Sequence, residues 1–437
     1  MSGSRPRPLR TRGVALGVLC LALCAACRAP HTADTDRADR TMDGKVYAGY
    51  QGWFATPDDG TRNGFDNYQA PTDGGLAFRP GASAIDLWPD LSEFDPDERY
   101  PTPFKHPDGS AAHVFSSAHA KTVDRHFRWM KAYGIDGVFL QRFAWMLDKP
   151  HTLRHRNRVM ANVRASADRH GREWALMYDL TSVDDAHIRD HLFDDIREVL
   201  GDNDPRQSQN YIHHDGKPVI AIWGVGFADG RGYSLETCME LVRFLKHDPV
   251  CGGNAVMLGV PYYWREGKRD AVDDPLLHAI LKQCDIVSPW SVGRYATPEQ
   301  AGQTVRDQVQ RDLAWARANR VGYVPVVFPG FSWHNLMKAH GKDAPLDQIP
   351  RLGGAFLWRQ AAAAKDAGAQ TIYIAMFDEL NEGTAIMKCT NRPPVGESGF
   401  LTYHGLPSDH YLWLAGRVGR LLRNELPADA PLPRRQP

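Results

Sequence analysis

The chain has 437 residues, of which 43% are apolar, so it is long enough to bury a large core and general disorder is excluded. Its formal net charge is zero; without the first 26 residues, which carry four arginines and no acid, 48 basic side chains remain against 52 acidic ones. This balance argues against a nucleic-acid partner and against a polybasic membrane-binding surface.

The N-terminus has the pattern of an export signal. A basic stretch from Arg5 to Arg12 precedes an apolar run over residues 14–26, which is too short for a membrane span of about 20 residues. The run ends Leu23-Cys24-Ala25-Ala26-Cys27, which is similar to a bacterial lipoprotein signal. Residues 1–27 are therefore predicted to be a signal peptide with lipidation at Cys27, and plain secretion is the second interpretation. Residues 28–42 are predicted to be a flexible tether, so the lipid anchor would be the only membrane contact.

Export implies an oxidising compartment, in which disulfides persist. The mature chain would keep Cys238, Cys251, Cys284 and Cys389, and the first two could form a bridge. No Cys-x-x-Cys pair occurs beyond the signal region, so structural zinc is not expected.

Eight short apolar runs alternate with helical patterns along the chain. The runs are continuous rather than alternating, as in parallel strands buried on both faces: 45–50, 137–141, 174–179, 218–223, 255–260, 286–289, 322–328 and 371–377. The helical patterns lie at 117–133, 153–169, 186–200, 234–247, 298–319 and 351–367. This order predicts a single (β/α)8 barrel over residues 43–426, followed by a disordered tail at 427–437. No second domain, Walker A sequence or dinucleotide-binding motif is present.

A long insertion follows the first predicted strand. Residues 51–116 are rich in Gly, Pro and Asp and precede the helix that leads to the second strand. In a barrel this segment would lie on the carboxyl-terminal face, where active sites form, and loops of this length are usually binding segments or lids.

Most strand ends offer an aromatic residue with a hydrogen-bonding group beside it. This combination suits a neutral, polyhydroxylated ligand, because sugar rings stack on aromatic faces. The predicted substrate-binding residues are Tyr50, Trp53, Arg142, Asp179, Tyr262, Trp264, Trp290, Trp333, Asp378 and Asn381. The alternatives are core or wall aromatics and, for Arg142 and Asp179, an ion pair with each other.

Three carboxylates follow the last strand within five residues. Asp378, Glu379 and Glu382 stand directly after an apolar run, and residues three apart share one face of a helical turn. Two close carboxylates repel, which raises the pKa of one and lets it act as an acid. The alternative is a solvated acidic turn or a helix cap.

The same segment carries a resemblance to a known family. Residues 377–384, Phe-Asp-Glu-Leu-Asn-Glu-Gly-Thr, are similar to the F-N-E-W-H-E-G-T signature of glycoside hydrolase family 99, the endo-α-mannosidases and endo-α-mannanases. Residues 47–54 and 134–139 are similar in style, and order and spacing agree from about Lys45 to Lys388. The α-1,3-glucanases of family 71 belong to the same broad group.

The resemblance implies a retaining hydrolase that acts on α-linked oligo- or polysaccharides without a cofactor. Glu379 would deprotonate the sugar 2-hydroxyl, which attacks C1, and Glu382 would serve as general acid and base. Leu380 and Asn381 stand where the family has Trp-His, and Asp378 stands for Asn. These departures affect the expected sugar specificity more than the reaction type.

Two other interpretations compete with this one. The first is a non-catalytic carbohydrate-binding surface lipoprotein, which would have the same aromatic-rich site. The second is a metal-dependent hydrolase on the same barrel. His213-His214 and the pair His151 and His155 lack a matched third ligand, so no metal site is predicted. The protein is expected to be a monomer.

Overall fold

Eight parallel strands form a barrel in the computed structural model, which describes residues 1, 3, 41–201, 204–427 and 429–435. The predicted signal peptide with Cys27, and the tether up to residue 40, lie outside the described residues. The strands, all continuously apolar and buried in their central parts, are β1 (Val46–Tyr50), β2 (Gly137–Phe143), β3 (Glu173–Asp179), β4 (Lys217–Trp223), β5 (Ala255–Pro261), β6 (Ile286–Trp290), β7 (Gly322–Tyr323 and Val326–Val327) and β8 (Ile372–Ile374). All eight predicted strands are present, and the predicted barrel class is confirmed.

The seventh strand closes the barrel in two halves. Its first half pairs with β6, at Ile286 opposite Gly322, and its second half pairs with β8, at Val326 opposite Tyr373. Pro325, which has no backbone N–H, separates the halves and accepts a 3.0 Å hydrogen bond from the backbone N–H of Tyr373. Strand β8 pairs in turn with β1, so the pairing runs around the barrel from one half of the seventh strand to the other.

Helices surround the barrel in the predicted alternation. They are α1 (Ala120–Tyr133), α2 (Pro150–His170), α3 (Phe193–Val199), α4 (Leu235–His247), α5 (Pro275–Leu281), α6 (Pro298–Asn319), α7 (His334–Ala339), α8 (Ala355–Asp366) and α9 (His410–Leu422). A short turn of helix, Asp185–His187, and a wider π-type turn, Ile188–Leu192, precede α3. The sequence patterns did not predict α5, α7 or α9.

Helix α9 packs its apolar face against the end of α1 and against β1. Gly416 permits this close approach, because a Cβ at that position would lie 1.7 Å from the carbonyl oxygen of Tyr133. Gly134, in the left-handed conformation, ends α1 as predicted.

The insertion at 51–116 is a packed layer over the carboxyl ends of the strands. It contains two antiparallel hairpins, Ala70–Thr72 with Gly75–Ala77 and Tyr100–Lys105 with Ala111–Val114. Its aromatic side chains form their own cluster, in which Phe54 and Tyr68 are 4.5 Å apart and Phe78 stacks on Trp88 at 5.8 Å. The insertion also bonds to the segment after β8, where the Asp86 N–H donates to the Leu380 carbonyl at 2.9 Å.

The periphery contains the four cysteines and the tail. Cys238 and Cys251, for which the sequence left a bridge open, are free thiols, as are Cys284 and Cys389, and all four are buried. The predicted disorder of the tail stays a prediction, although its described residues, 427 and 429–435, make contacts with the domain. The indole N–H of Trp358 donates to the Ala430 carbonyl at 2.9 Å, and Arg435 forms an ion pair with Asp409.

Within the part of the chain that the structure describes, no helix has both the length and the apolar character needed to cross a bilayer.

Candidate active site

A pocket of about 300 Å³ opens at the carboxyl ends of the barrel strands. Its walls come from strand ends and the loops that follow them, which is where (β/α)8 barrels place their sites. The residues that line it are Gln51, Trp53, Gln141, Phe143, Trp145, Asp179, Thr181, Trp223, Arg231, Trp290, Met376, Glu379 and Glu382.

The acidic segment after β8 is held by hydrogen bonds to its backbone carbonyls. The Ala385 N–H donates to the Glu379 carbonyl at 2.9 Å, and Arg351 donates from one nitrogen to the carbonyls of Gly383 and Ala385, both at 2.7 Å. Gly383 adopts a left-handed φ of 59°, which permits the sharp turn. The two glutamates are therefore presented by a fixed turn at the pocket floor.

Glu379 is buried and surrounded by hydrogen-bond donors. One carboxylate oxygen accepts from the backbone N–H groups of Asn381 and Glu382, at 2.9 and 3.3 Å. The other accepts from the side-chain amide of Gln51 at 2.5 Å. Burial raises the pKa of Glu379 well above its usual value, and the charges of Glu382 and Asp378 add to that rise.

Glu382 lies beside Glu379 in a different environment. Within the described chain, no group donates a hydrogen bond to its carboxylate. Burial, followed by the charge of Asp179, raises the pKa of Glu382 to about 7. Because two adjacent buried carboxyl groups resist double ionisation, the pair holds one proton near neutral pH. The donors around Glu379 oppose the rise in its pKa by favouring its charged form, and Glu382 has no such donor within the described chain.

Asp378 connects the first and last strands of the barrel. Its two oxygens accept from the backbone N–H groups of Gln51 and Gly52, at 2.7 and 2.9 Å, and its side chain is completely buried. Burial raises the pKa of Asp378 to about 6. The structure thus gives Asp378 a bracing position behind the pocket rather than the predicted contact with substrate.

Aromatic side chains form much of the pocket wall. Trp53 stacks on Phe143 with ring centres 5.0 Å apart, and Trp223 meets Trp290 edge to face at 5.4 Å. Trp145 joins them from the turn after β2. Such surfaces suit the apolar faces of sugar rings, as the sequence predicted for Trp53 and Trp290.

A carboxylate and a guanidinium lie together at the pocket side. One oxygen of Asp179 accepts from the Thr181 N–H at 2.7 Å, and burial raises the pKa of Asp179. Arg231 lies over the Trp223 ring at 5.2 Å, with both ends of its fork on Asp229. Arg231 thereby supplies a fixed cation whose charge favours the ionised form of Asp179.

Seven predicted binding residues do not line the pocket. Asp378 has been described above. Two of the others lie on the outer side of the barrel wall. The Tyr50 hydroxyl lies 2.9 Å from a His126 ring nitrogen, and Arg142 forms a buried ion pair with Asp195 rather than with Asp179.

The remaining four lie beyond the strand ends. Tyr262 reaches the Thr304 carbonyl in α6 at 3.4 Å, and Trp264 is fully buried against Trp315. Asn381 donates to the Asn67 carbonyl at 2.8 Å, and Trp333 is half-buried next to Phe331. The predicted substrate contacts of these seven residues are therefore not supported by their positions.

The pleat of the strands explains part of this division. Successive residues in a strand point to opposite faces, so Gln141 and Phe143 face the barrel interior whereas Arg142 faces the helices. The same alternation separates Gln51 from Tyr50. Gln51, Gln141, Phe143 and Trp223 could have been found from this rule, because they stand at predicted strand ends. Arg231 had no sequence signal, since it follows β4 by eight residues in an irregular loop.

In the described ranges, no group of three or more His, Cys, Asp or Glu side chains is arranged to hold a metal ion.

Similar proteins were found by structure alone. No protein-family model matches the sequence, and no curated protein matches it. Among solved structures, a family GH99 endo-α-mannosidase from Bacteroides thetaiotaomicron superposes with a TM-score of 0.62 at 14% identity, over 90% of this chain and all of the other. The same enzyme bound to bis-tris-propane gives 0.58 at 14% identity, over 88% and 99% of the chains.

The two folds are alike. At this identity the likeness shows a shared (β/α)8 architecture over nearly the whole of both chains. It does not establish a shared activity, because one barrel supports many chemistries.

Proposed function

We propose that the protein is a retaining glycoside hydrolase that cleaves α-linked, mannoside-like bonds in an oligo- or polysaccharide. The observation that carries the proposal is that Glu379 and Glu382 line one aromatic-walled pocket, at the end of the last barrel strand. Paired carboxylates in different environments are the usual machinery of glycoside hydrolysis.

The proposed roles follow from the two environments. Glu379, with three donors to its carboxylate, serves as the base that removes the proton of the sugar 2-hydroxyl. The freed oxygen attacks C1 to form a 1,2-anhydro sugar. Glu382, which has no donor of its own and holds the proton, protonates the leaving oxygen and then activates the water that opens the intermediate. As water opens the ring, Glu379 returns its proton to the sugar O2 and Glu382 regains from water the proton that it gave to the leaving oxygen, so atoms and charges balance.

A substrate screen tests the activity. Oligosaccharides from α-mannan and α-glucan, with arabinan and xylan as controls, are incubated with the protein and the first product anomer is read by NMR. We expect an α-linked substrate to release the α-anomer first. Prompt formation of the β-anomer would exclude the retaining mechanism, and full activity that depends on an added metal would favour the metal-dependent alternative.

Two variants separate the enzyme from a binding protein. Glu379→Gln and Glu382→Gln are expected to reduce turnover by a factor on the order of 10³ or more, while binding of the intact substrate persists. If the wild type binds a glycan as tightly as both variants and none of the three cleaves it, the carbohydrate-binding lipoprotein is the better interpretation.

We also propose that the chain is exported and anchored by lipid at Cys27, on the strength of the N-terminal sequence. Cys27→Ala in a bacterial host is expected to move the protein from the membrane fraction to the soluble exported fraction. Labelling with a fatty-acid analogue would then be lost. Equal labelling of both forms would contradict the anchor.

A further inference from the structure

Gln51, which lines the pocket, is held through both its backbone and its side chain. The Asp378 carboxylate accepts from its backbone N–H at 2.7 Å, and Arg156 donates to its carbonyl at 2.9 Å. The side-chain amide donates to Glu379 at 2.5 Å. Three independent contacts on three sides leave this residue little freedom.

One polar atom of Gln51 has no hydrogen-bond partner among the described residues. Its side-chain oxygen accepts no hydrogen bond, although the residue lines the pocket and is 91% buried. In the proposed mechanism Glu379 is ionised and can only accept, which fixes the amide nitrogen toward Glu379 and the oxygen away from it. The side-chain oxygen is then an unpaired acceptor on a residue that lines the pocket beside the proposed base. Buried acceptors of this kind are costly unless a ligand supplies a donor.

We propose that Gln51 is a positioning and specificity-determining residue, which orients Glu379 and accepts a hydrogen bond from the sugar 3-hydroxyl. This inference rests on the proposed function, which places the 2-hydroxyl at Glu379. Carbon C2 has two ring neighbours, C1 and C3, and C1 carries the bond that breaks. The hydroxyl nearest to the 2-hydroxyl on the other side is therefore the one on C3, and it is the donor that the amide oxygen takes.

The proposal predicts a preference among sugars. The substrate must carry a free hydroxyl, or another donor, at C3 of the residue that reacts. A sugar that is deoxygenated, methylated or linked at this position leaves the Gln51 oxygen buried and unpaired, and should react poorly.

A thermodynamic cycle tests the contact. kcat/KM is measured for the best α-linked substrate and its 3-deoxy and 4-deoxy analogues, with the wild type and Gln51→Leu. Deoxygenation at C3 is expected to cost the wild type about ten- to a hundredfold but the variant less than about threefold. The 4-deoxy analogue should affect both proteins equally. Equal loss at C3 in both proteins, or non-additivity at C4 instead, would overturn the assignment.

The pH profile tests the positioning role. The Gln51 amide favours the ionised form of Glu379, so its removal raises the pKa of Glu379 further. The acidic limb of kcat/KM should therefore move to higher pH in Gln51→Leu. An unchanged limb would show that Gln51 does not orient the base.

Gln141→Leu is the matched control. This second pocket glutamine also has an unbonded side-chain oxygen, but its nitrogen faces Tyr373 and Met177 rather than Glu379. In Gln141→Leu the acidic limb of kcat/KM should stay at the pH of the wild type. The fall in kcat/KM on 3-deoxygenation of the substrate should also equal that of the wild type. In Gln51→Leu the backbone contacts of residue 51 remain, because the substitution changes only the side chain. Thermal unfolding of Gln51→Leu and of a second variant, Gln51→Met, checks that the fold is retained.

Failure of the inference differs from failure of the proposed function. If no substrate is cleaved, the same cycle is measured as binding affinity by calorimetry, where the 3-deoxy penalty should again vanish in Gln51→Leu. If cleavage depends on Glu379 and Glu382 but the cycle is additive, the hydrolase stands and the Gln51 assignment is wrong.

Discussion

The two glutamates differ in what stabilises their charge. Glu379 receives three hydrogen bonds, whereas Glu382 receives none within the described chain and has Asp179 as its charged neighbour. In a buried site such differences decide which carboxyl keeps a proton, because water is not available to compensate. The proposed mechanism uses this difference to assign the base to Glu379 and the acid to Glu382.

Asp179→Asn should move the basic limb of the pH profile to lower pH. The proposed mechanism needs Glu382 in its protonated form, and the pKa of Glu382 is raised to about 7 by burial and then by the Asp179 charge. Removing that charge lowers the pKa of Glu382, so the proton is lost at lower pH. The midpoint of kcat/KM against pH measures this, whereas a lost substrate contact alone would lower the plateau and leave the midpoint unchanged.

At the level of elements, a barrel strand contributes side chains both to the pocket and to the contact with the surrounding helices. The inward residues of β2 reach the pocket, whereas Arg142, between them, donates to Asp195, which also accepts from the Tyr178 hydroxyl at 3.1 Å. Both partners of this ion pair are at least nine-tenths buried. Its contribution is to hold the segment around α3 against the barrel, next to the strand ends that line the pocket.

Arg142→Met should destabilise the protein by about 3–5 kcal/mol, because the Asp195 charge remains buried without its partner. KM should change little, since Arg142 does not line the pocket. Chemical unfolding and steady-state kinetics measure the two effects. The double variant Arg142→Met, Asp195→Leu should regain part of the loss. A large rise in KM at unchanged stability would restore the original interpretation of Arg142 as a substrate contact.

For the whole molecule, buried ionisable groups make stability depend on pH in opposite directions. Burial raises the pKa of Asp312 to about 7, and it lowers the pKa of His155 to about 3. The folded protein keeps the Asp312 proton up to about pH 7, whereas the unfolded chain releases it near pH 4. This group therefore lowers stability as pH rises across that range, whereas His155 raises it up to about pH 6.5.

Asp312→Asn should isolate one of these contributions. The variant has no carboxyl group at position 312, so it does not lose stability through this titration as pH rises. Its unfolding midpoint relative to that of the wild type should therefore increase from pH 4.5 to pH 7. Loss of the ion pair with Arg265 shifts the midpoint difference by a constant amount, whereas the titration of Asp312 makes the difference change with pH. Urea unfolding at several pH values measures the difference. A difference that does not change with pH would show that Asp312 titrates normally in the folded protein.

The sequence alone determined the architecture and the position of the acidic motif. Eight apolar runs separated by helical patterns specify parallel strands, because strands buried on both faces require continuous apolar residues. The spacing of Glu379 and Glu382 after the last run is likewise local information.

Only the tertiary structure decided which side chains share the pocket. Gln141 faces it and Arg142 does not, because the pleat turns neighbours to opposite faces and the position of each strand relative to the barrel axis is a global property. Arg231 reaches the site from an irregular loop, and the insertion at 51–116 packs on its own aromatic cluster. The indole of Trp358 and the side chain of Asp409 hold the tail. Such contacts join residues far apart in sequence, so no local pattern specifies them.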